Sequence, residues 1–401
     1  MSVIVGRRSR ARPRSRVLSI ARRLDWLLLG ATAGLAALGL TVLGDATRLD
    51  VAGDPGYYVR RQTIYFIVGA IGMVAMSAID PNLWRRLRLP LYVGTLSLVA
   101  VVLVLGTTIR GSTRWITLPG FQFQPSELGK LTVILALAAF VADRRDRLGG
   151  VRTSLLALGY IAVPAALVFL EPDLGTSLVY GAAGLAALLI AGVPFRHFGG
   201  LAAIAIGLAA LVFAVLPAAG IPVLKPYQTD RVTSFLHPGR DQSGDGYNQY
   251  QSLIAVGSGG VAGRGVAAST QTNGDFLPEH QTDFIFAVLA EQRGFVGAAL
   301  LLGLYLVLLW RALRAVAVSA TYYGSVVAAG IAGWLLFSVF VNVGMTIGIA
   351  PITGIPLPFM SFGGSGTITA LLAVGVIQAI QLRGRMPVAR DLESRRYPSR
   401  R

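Results

Sequence analysis

The chain has 401 residues, 54% of them hydrophobic and only 14% charged, and its mean hydropathy is +0.63. A soluble domain cannot cover that much apolar surface, and several uninterrupted apolar stretches are long enough to cross a hydrocarbon core of about 30 Å at about 1.5 Å per helical residue. The formal net charge of +17 suggests nucleic acid, but most of it sits in two tails: Arg7, Arg8, Arg10, Arg12, Arg14, Arg16, Arg22 and Arg23 at one end, and Arg383, Arg385, Arg390, Arg395, Arg396, Arg400 and Arg401 at the other. That placement fits membrane surfaces and argues against a nucleic-acid partner.

Membrane spans are helices or closed barrels, and the long Leu/Ala/Val/Gly runs lack the alternation of barrel strands. The expected fold is therefore an all-α polytopic membrane protein. In chain order the apolar runs predict about ten transmembrane helices, at 24–44, 62–79, 89–108, 126–142, 153–170, 174–192, 199–216, 294–310, 325–348 and 366–382. The first run, from Trp26 to Leu43, is too long for a signal-peptide core and is expected to stay as an anchor. These spans make one membrane domain, 24–382, between the basic tails 1–23 and 383–401, both read as cytoplasmic and drawn to anionic membrane lipids. On that side the connections Asp80–Arg88, Asp143–Arg152, Pro194–His197 and Arg311–Arg314 are short and basic, as the positive-inside rule requires. The opposite side holds Gly111–Gln124, the Glu171-Pro172-Asp173 turn, a large extracytoplasmic loop over 217–283 between helices 7 and 8, and the stretch Pro351–Gly366. Tyr227, Phe235, Tyr247, Tyr250 and Phe276 punctuate the large loop and predict an ordered cap.

Chemistry-bearing residues fall on the same side. Asp283 closes an acidic cluster, with Glu279, where the large loop runs into an apolar helix, and an ionisable group at such a boundary is a functional-site hypothesis. Glu127 and Lys130 follow Pro125, which suits a first helical turn. At i, i+3 they share a face, either as a self-satisfied ion pair or as a charge offered to an anionic headgroup. Asp173 either caps the helix after it or joins a shared polar cavity. Arg114, beside Trp115, is either an interfacial anchor or a phosphate contact. The run Gly257-Ser258-Gly259-Gly260-Val261-Ala262-Gly263-Arg264-Gly265 has the wrong spacing and context for a nucleotide loop and reads as a tight backbone crossing beside helices. The chain has no cysteine, which excludes disulfides and thiolate metal sites, and His197, His237 and His280 are too scattered for zinc. A hard divalent ion needing one or two protein oxygens stays open.

Together these segments resemble the SEDS family of membrane peptidoglycan glycosyltransferases. The resemblance is carried by Arg114-Trp115-Ile116, by Phe123-Gln124-Pro125-Ser126-Glu127-Leu128-Gly129-Lys130, by Glu171-Pro172-Asp173-Leu174-Gly175-Thr176-Ser177, by Gly246-Tyr247-Asn248-Gln249, by Phe276-Leu277-Pro278-Glu279 with Thr282-Asp283-Phe284, and by Pro351 to Ser365. Gly344-Met345-Thr346-Ile347-Gly348 looks closer to the elongation branch than to the division branch. The resemblance implies polymerisation of lipid II, a disaccharide-pentapeptide on undecaprenyl pyrophosphate, with a class B penicillin-binding protein as partner. It implies Asp283 as general base in an inverting transfer, with Arg114, Glu127, Lys130, Asp173, Glu279 and Ser365 as the substrate-binding set. The departing pyrophosphate needs positive charge, from Lys130, Arg114 or a divalent cation, Mg or Mn, for which Asp283 and Asp173 are the candidate ligands, and no nucleotide is needed. The alternative is a transporter or flippase for a lipid-linked precursor, in which polar groups are reachable from both faces. The charged candidates lie on the outer side only, which favours the enzyme. An inactive scaffold for a transpeptidase is a third reading.

Overall fold

Backbone polar groups in hydrocarbon have to be satisfied within their own segment, and this chain satisfies them with helices. The computed structural model describes residues 23–109, 112–118, 121–210, 216 and 245–384. The tails and the part of the large loop with Tyr227, Phe235 and His237 lie outside the described residues. In chain order the helices are α1 (Trp26–Ala46), α2 (Tyr57–Ala78), α3 (Pro81–Arg86), α4 (Arg88–Leu105), α5 (Pro125–Ala142), α6 (Val151–Leu170), α7 (Leu174–Ile190), α8 (Phe195–Ala210), α9 (Asp245–Ser258), α10 (Thr270–Asn273), α11 (Ile285–Val318), α12 (Tyr322–Thr346) and α13 (Gly364–Gly384). Eight of them, α1, α2, α4, α5, α6, α11, α12 and α13, are long and apolar enough to cross a membrane, and α7 is a shorter apolar helix. A described helix occupies part of each of the ten expected stretches. Helices α5, α12 and α13 are largely buried and form the centre, whereas α2 and α4 turn most of their surface outward. The closest packing is of α13 on α2, of α12 on α7, and of α11 between α1 and α12.

Three features depart from the expected pattern. The segment between α4 and α5 is a small antiparallel sheet, β1 (Thr107–Ile109), β2 (Ser112–Leu118) and β3 (Phe121–Phe123), with Thr107 opposite Trp115 and Ile116 opposite Phe123. The Thr-, Trp- and Ile-rich composition of β2 suits a pleated ribbon, which lets this return segment pair its own backbone.

The second departure is at the start of the eighth expected span. Helix α11 begins nine residues earlier than the apolar run, and residue 294, where that run starts, is a break: Gly294 has φ 62° and ψ −160°. The glycine-rich loop crosses here. Arg264 and Gly265 donate their N–H groups to the carbonyls of Glu291 (2.9 Å) and Gln292 (3.0 Å), and Phe295 and Val296 donate to Gly260 (2.9 Å) and Val261 (3.1 Å). A Cβ on Gly263 would stand 2.2 Å from the Gln292 carbonyl oxygen, and one on Gly294 would stand 2.3 Å from the Gly263 nitrogen. The loop is the tight backbone crossing its glycines indicated, and its hydrogen bonds replace those the helix forfeits at the break. Glu291 is wholly buried and accepts from the Gln271 and Thr272 N–H groups and the Thr272 hydroxyl, which pins α10 to α11. These polar residues hid the first part of α11 from a hydropathy reading.

The third departure is Arg311, expected in a solvent-facing connection. Helix α11 runs on to Val318, and Arg311 turns inward against Asp25, its Nε at 2.9 and 2.8 Å from the two carboxylate oxygens and its Nη2 at 2.6 Å. Asp25 also accepts from Leu28 N–H as the α1 cap. Buried charge is therefore present at both ends of the bundle, which removes the argument that charged groups occur on one side only. At this end the pair is closed on itself.

Candidate active site

Pro125 occupies the first turn of α5, where its missing N–H costs nothing and its fixed φ starts the helix. Two residues on, Glu127 faces inward, and Lys130 one turn below donates to its Oε1 at 2.6 Å. Both side chains are almost fully buried, and the ammonium stands 5.5 Å from the centre of the Trp334 ring. The structure thus makes the ion pair that was one of the two readings of these residues. Gly366, in the first turn of α13, leaves room for the carboxylate: a Cβ there would lie 3.1 Å from Glu127 Oε2.

Asp173 is the helix cap that was one of the two readings made of it, and it also meets two side chains from the segment before α5. Its Oδ1 accepts the Thr176 N–H at 3.0 Å and caps α7, while its Oδ2 accepts from Gln124 Nε2 at 3.0 Å and lies 3.1 Å from Arg114 Nη1 on β2. Arg114 keeps a side chain 30% exposed, against 3% for Lys130, so it is the cation of the two that reaches an open surface. Ser365 accepts from the Gln124 N–H at 2.9 Å and donates to the Gln122 carbonyl at 3.2 Å. Its hydroxyl ties β3 to the start of α13, which makes it a positioning residue.

Asp283 sits in the turn before α11, where the carbonyl of Glu279, at φ 56°, gathers the N–H groups of Thr282, Asp283 and Phe284. The Glu279 carboxylate accepts from the Thr282 hydroxyl at 3.1 Å. The stretch 351–363 clamps this turn. Ser361 donates to the Thr282 carbonyl at 2.6 Å, Phe362 N–H to the Gln281 carbonyl at 2.9 Å, and Asn342 on α12 donates to the carbonyls of both Asp283 and Ile355 at 2.9 Å. Gly354, at φ 70°, lies against the Asp283 carboxylate: a Cβ there would be 3.7 Å from Oδ2. On its other side the same stretch meets the start of α7, since a Cβ on Gly175 would be 2.4 Å from the Thr353 carbonyl. One segment, 351–366, therefore lies beside Asp283 at Gly354, against the first turn of α7 at Thr353 and beside Glu127 at Gly366, and is hydrogen-bonded to Gln124 through Ser365. His280 is engaged elsewhere, its Nε2 3.2 Å from Asp50 Oδ2.

Asp173 does not fit the metal-ligand role expected of it, because the cap N–H, the Gln124 amide and the Arg114 guanidinium already point three donors at its two oxygens. Among the described residues no three acidic or histidine side chains converge. Asp283, partly exposed, does fit as a single carboxylate ligand.

Glu171, in the turn beyond α6, is buried with neither carboxylate oxygen hydrogen-bonded. Burial, reinforced by the neighbouring Asp173 and opposed by Arg114, raises its pKa from the ordinary 4.5 to about 8. The folded chain holds this proton more tightly than the unfolded one, so the stability it contributes is full below about pH 4.5 and is lost as pH rises through about 8. Thermal melting of the detergent-solubilised protein should fall across that window, and Glu171→Gln should flatten the fall. An unchanged slope in the Gln variant would remove Glu171 as its source.

A model of the FtsW/RodA/SpoVE cell cycle protein family matches residues 22–385. The chain belongs to this family. The peptidoglycan glycosyltransferase MrdB of Escherichia coli K12 is 37% identical over 367 residues, covering 90% of this chain and 96% of that protein. A chain from the structure of a peptidoglycan synthase complex that coordinates polymerization and crosslinking superposes with a TM-score of 0.77 at 32% identity, covering 91% of this chain and 99% of the other. The crystal structure of the rod shape determining protein RodA of Thermus thermophilus gives 0.66 at 30% identity, covering 91% and 98%.

Within this FtsW/RodA/SpoVE chain, the candidates from the sequence divide into a group around Asp173 and a turn around Asp283, joined by 351–366. Sequence reasoning passed over the amides that lock them. Gln124 bridges Ser126 and Asp173, Asn342 fixes the Asp283 turn, and Gln62 on α2 binds Gly363 N–H, the Ser361 carbonyl and the Thr367 hydroxyl. Gln62 and Asn342 were legible as polar residues inside or beside apolar spans, a costly placement that needs a partner.

Proposed function

We propose that the chain polymerises lipid II into glycan strands at the outer face of the cytoplasmic membrane, in cell-wall elongation and the maintenance of cell shape. It is a multi-pass membrane peptidoglycan glycosyltransferase, with both termini cytoplasmic and the Asp283 end extracytoplasmic. The observation that carries the reading is the 351–366 segment, which sets a partly exposed carboxylate and the Arg114–Asp173 pair at one end of the bundle. The RodA likeness favours the elongation branch. The likeness to a synthase complex supports a class B penicillin-binding protein as the crosslinking partner.

Asp283 accepts the proton of the acceptor sugar 4-hydroxyl as that oxygen attacks the donor anomeric carbon from the face opposite the diphosphate. The new C–O bond forms as the old one breaks, the diphosphate leaves with the electron pair, and the anomeric configuration inverts. Arg114 faces the departing negative charge with a planar fork suited to phosphate oxygens. Glu127, Lys130, Gln124 and Ser365 keep α5, β3 and α13 in register beneath it. Were Asp283 to hold a Mg or Mn ion rather than act as the base, the ion would supply Lewis-acid chemistry there.

Purified protein, alone and with its transpeptidase, should convert lipid II into glycan chains resolved by length on a gel. Absence of polymer under both conditions, with lipid II instead crossing vesicle bilayers, would establish the flippase.

A further inference from the structure

At the end of the bundle remote from Asp283, α3 links α2 to α4, and beside it lies a cavity of about 550 Å³ lined by Asp80, Asn82, Leu83, Arg85, Arg86 and Arg88. Three arginines within four residues repel one another unless anions gather near them, and the protein supplies few. Arg85 reaches Asp143 at the end of α5 at 2.6 Å, and Arg88 shares the same carboxylate. Arg383, from the end of α13, stands 4.0 Å from Asp80. Asp80 is already occupied in part by its cap bond to Asn82 N–H at 2.9 Å. Arg86 is exposed and has no ion-pair partner among the described residues. Four guanidinium groups thus face two carboxylates, which leaves an excess of two positive charges around an open cavity.

The position of the cavity says which anion fits. It lies between α2 and α4, two helices long and apolar enough to span a membrane and turned mostly outward, so it stands where those spans leave the hydrocarbon. Beside the arginines, Leu83, Leu87 and Leu89 are exposed, at 45%, 42% and 61%. Trp84, on the same short helix, is buried and fixes it against the bundle. A free phosphate would use the guanidinium groups and leave the leucines in water. An amphiphile would use both, its phosphate against the arginine forks and its acyl chains along the leucines.

We propose that this cavity binds the phosphate headgroup of an anionic phospholipid, with Arg86 as the unshared contact and Arg85 and Arg88 as contacts shared with Asp143. The inference rests on the membrane-spanning architecture and not on the glycosyltransferase reading. The site is distinct from the substrate site, at the other end of the same helices.

The test is retention of fluorescent phosphatidylglycerol by the full chain in detergent, with phosphatidylcholine as the neutral counterpart. Arg86→Gln should weaken phosphatidylglycerol retention about fivefold, the equivalent of the ~1 kcal/mol that one basic residue contributes at an anionic surface. Phosphatidylcholine retention should be unaffected. Arg314→Gln removes the same charge from an exposed arginine that does not line the cavity, and it should have little effect. Arg85→Gln/Arg88→Gln should weaken retention further, but it also strands Asp143, so Arg86→Gln, whose side chain supports no described ion pair, carries the decision. Millimolar inorganic phosphate should not displace the lipid. Equal losses in Arg86→Gln and Arg314→Gln would show diffuse surface attraction, equal retention of the two lipids would show no headgroup recognition, and displacement by phosphate would show a plain anion site. Each of these three results would overturn the proposal.

Discussion

Asp283→Asn should lower the rate of lipid II polymerisation by about 100-fold or more while leaving the fold intact, the range expected when a general base is removed. The amide keeps the size of the carboxylate and its capacity to accept hydrogen bonds, but it does not take a proton at neutral pH. The fold should survive because the turn is held through backbone groups: Asp283 N–H donates to the Glu279 carbonyl at 3.1 Å, and the Asp283 carbonyl accepts from Asn342. Gly354 lies beside the carboxylate and presents no side chain of its own to it. The measurement is initial rate on purified lipid II, with thermal melting of the same sample as the control. A variant that melts like the parent and polymerises at nearly the parent rate would exclude Asp283 as the base, and the partly exposed Glu279 carboxylate would be the next group to test.

Helix placement was legible because hydrocarbon leaves the backbone few options, and long apolar runs with basic ends read as helices from composition alone. What escaped was each place where polar residues bend that rule. An apolar helix was legible directly after Asp283, but the eighth span registered only from 294 because Glu291, Gln292 and Arg293 interrupt the apolar run, and nothing local reveals that Glu291 is hydrogen-bonded by three donors from α10. The Arg311 placement failed for the same reason, since a charged residue near a span end looks solvated until its partner, some 286 positions away in sequence, is known to be buried beside it. The sheet over 107–123 was missed because its strands are too short for alternation to register. At the site, the residue types were legible and their pairing was not. Spacing alone put Lys130 beside Glu127 on one helix, but Arg114 with Asp173, and Gly354 with Asp283, are meetings between distant segments that only the fold arranges.

Lys130→Met should lower the thermal stability of the protein sharply, and more than any exposed arginine substitution would. The ammonium and the Glu127 carboxylate are 2.6 Å apart in a nearly closed environment, with the Trp334 ring as the only other described partner of the cation. Removing one member of such a pair strands the other charge away from water, a loss of about 3–5 kcal/mol, whereas removing both charges together is often close to neutral. Glu127→Gln/Lys130→Met should therefore regain most of the lost stability, because an amide and a thioether fill similar space without a net buried charge. The two melting curves separate a coupled pair from independent residues: a double variant no more stable than Lys130→Met would show that the pair is not the source of the loss. Polymerisation by the double variant then decides what the pair is for. If it folds and makes glycan near the parent rate, Glu127 and Lys130 hold α5 against α12 and α13. If it folds and is inactive with binding of lipid II retained, the charges themselves act in the transfer, and the ion pair seen here must open when the diphosphate arrives.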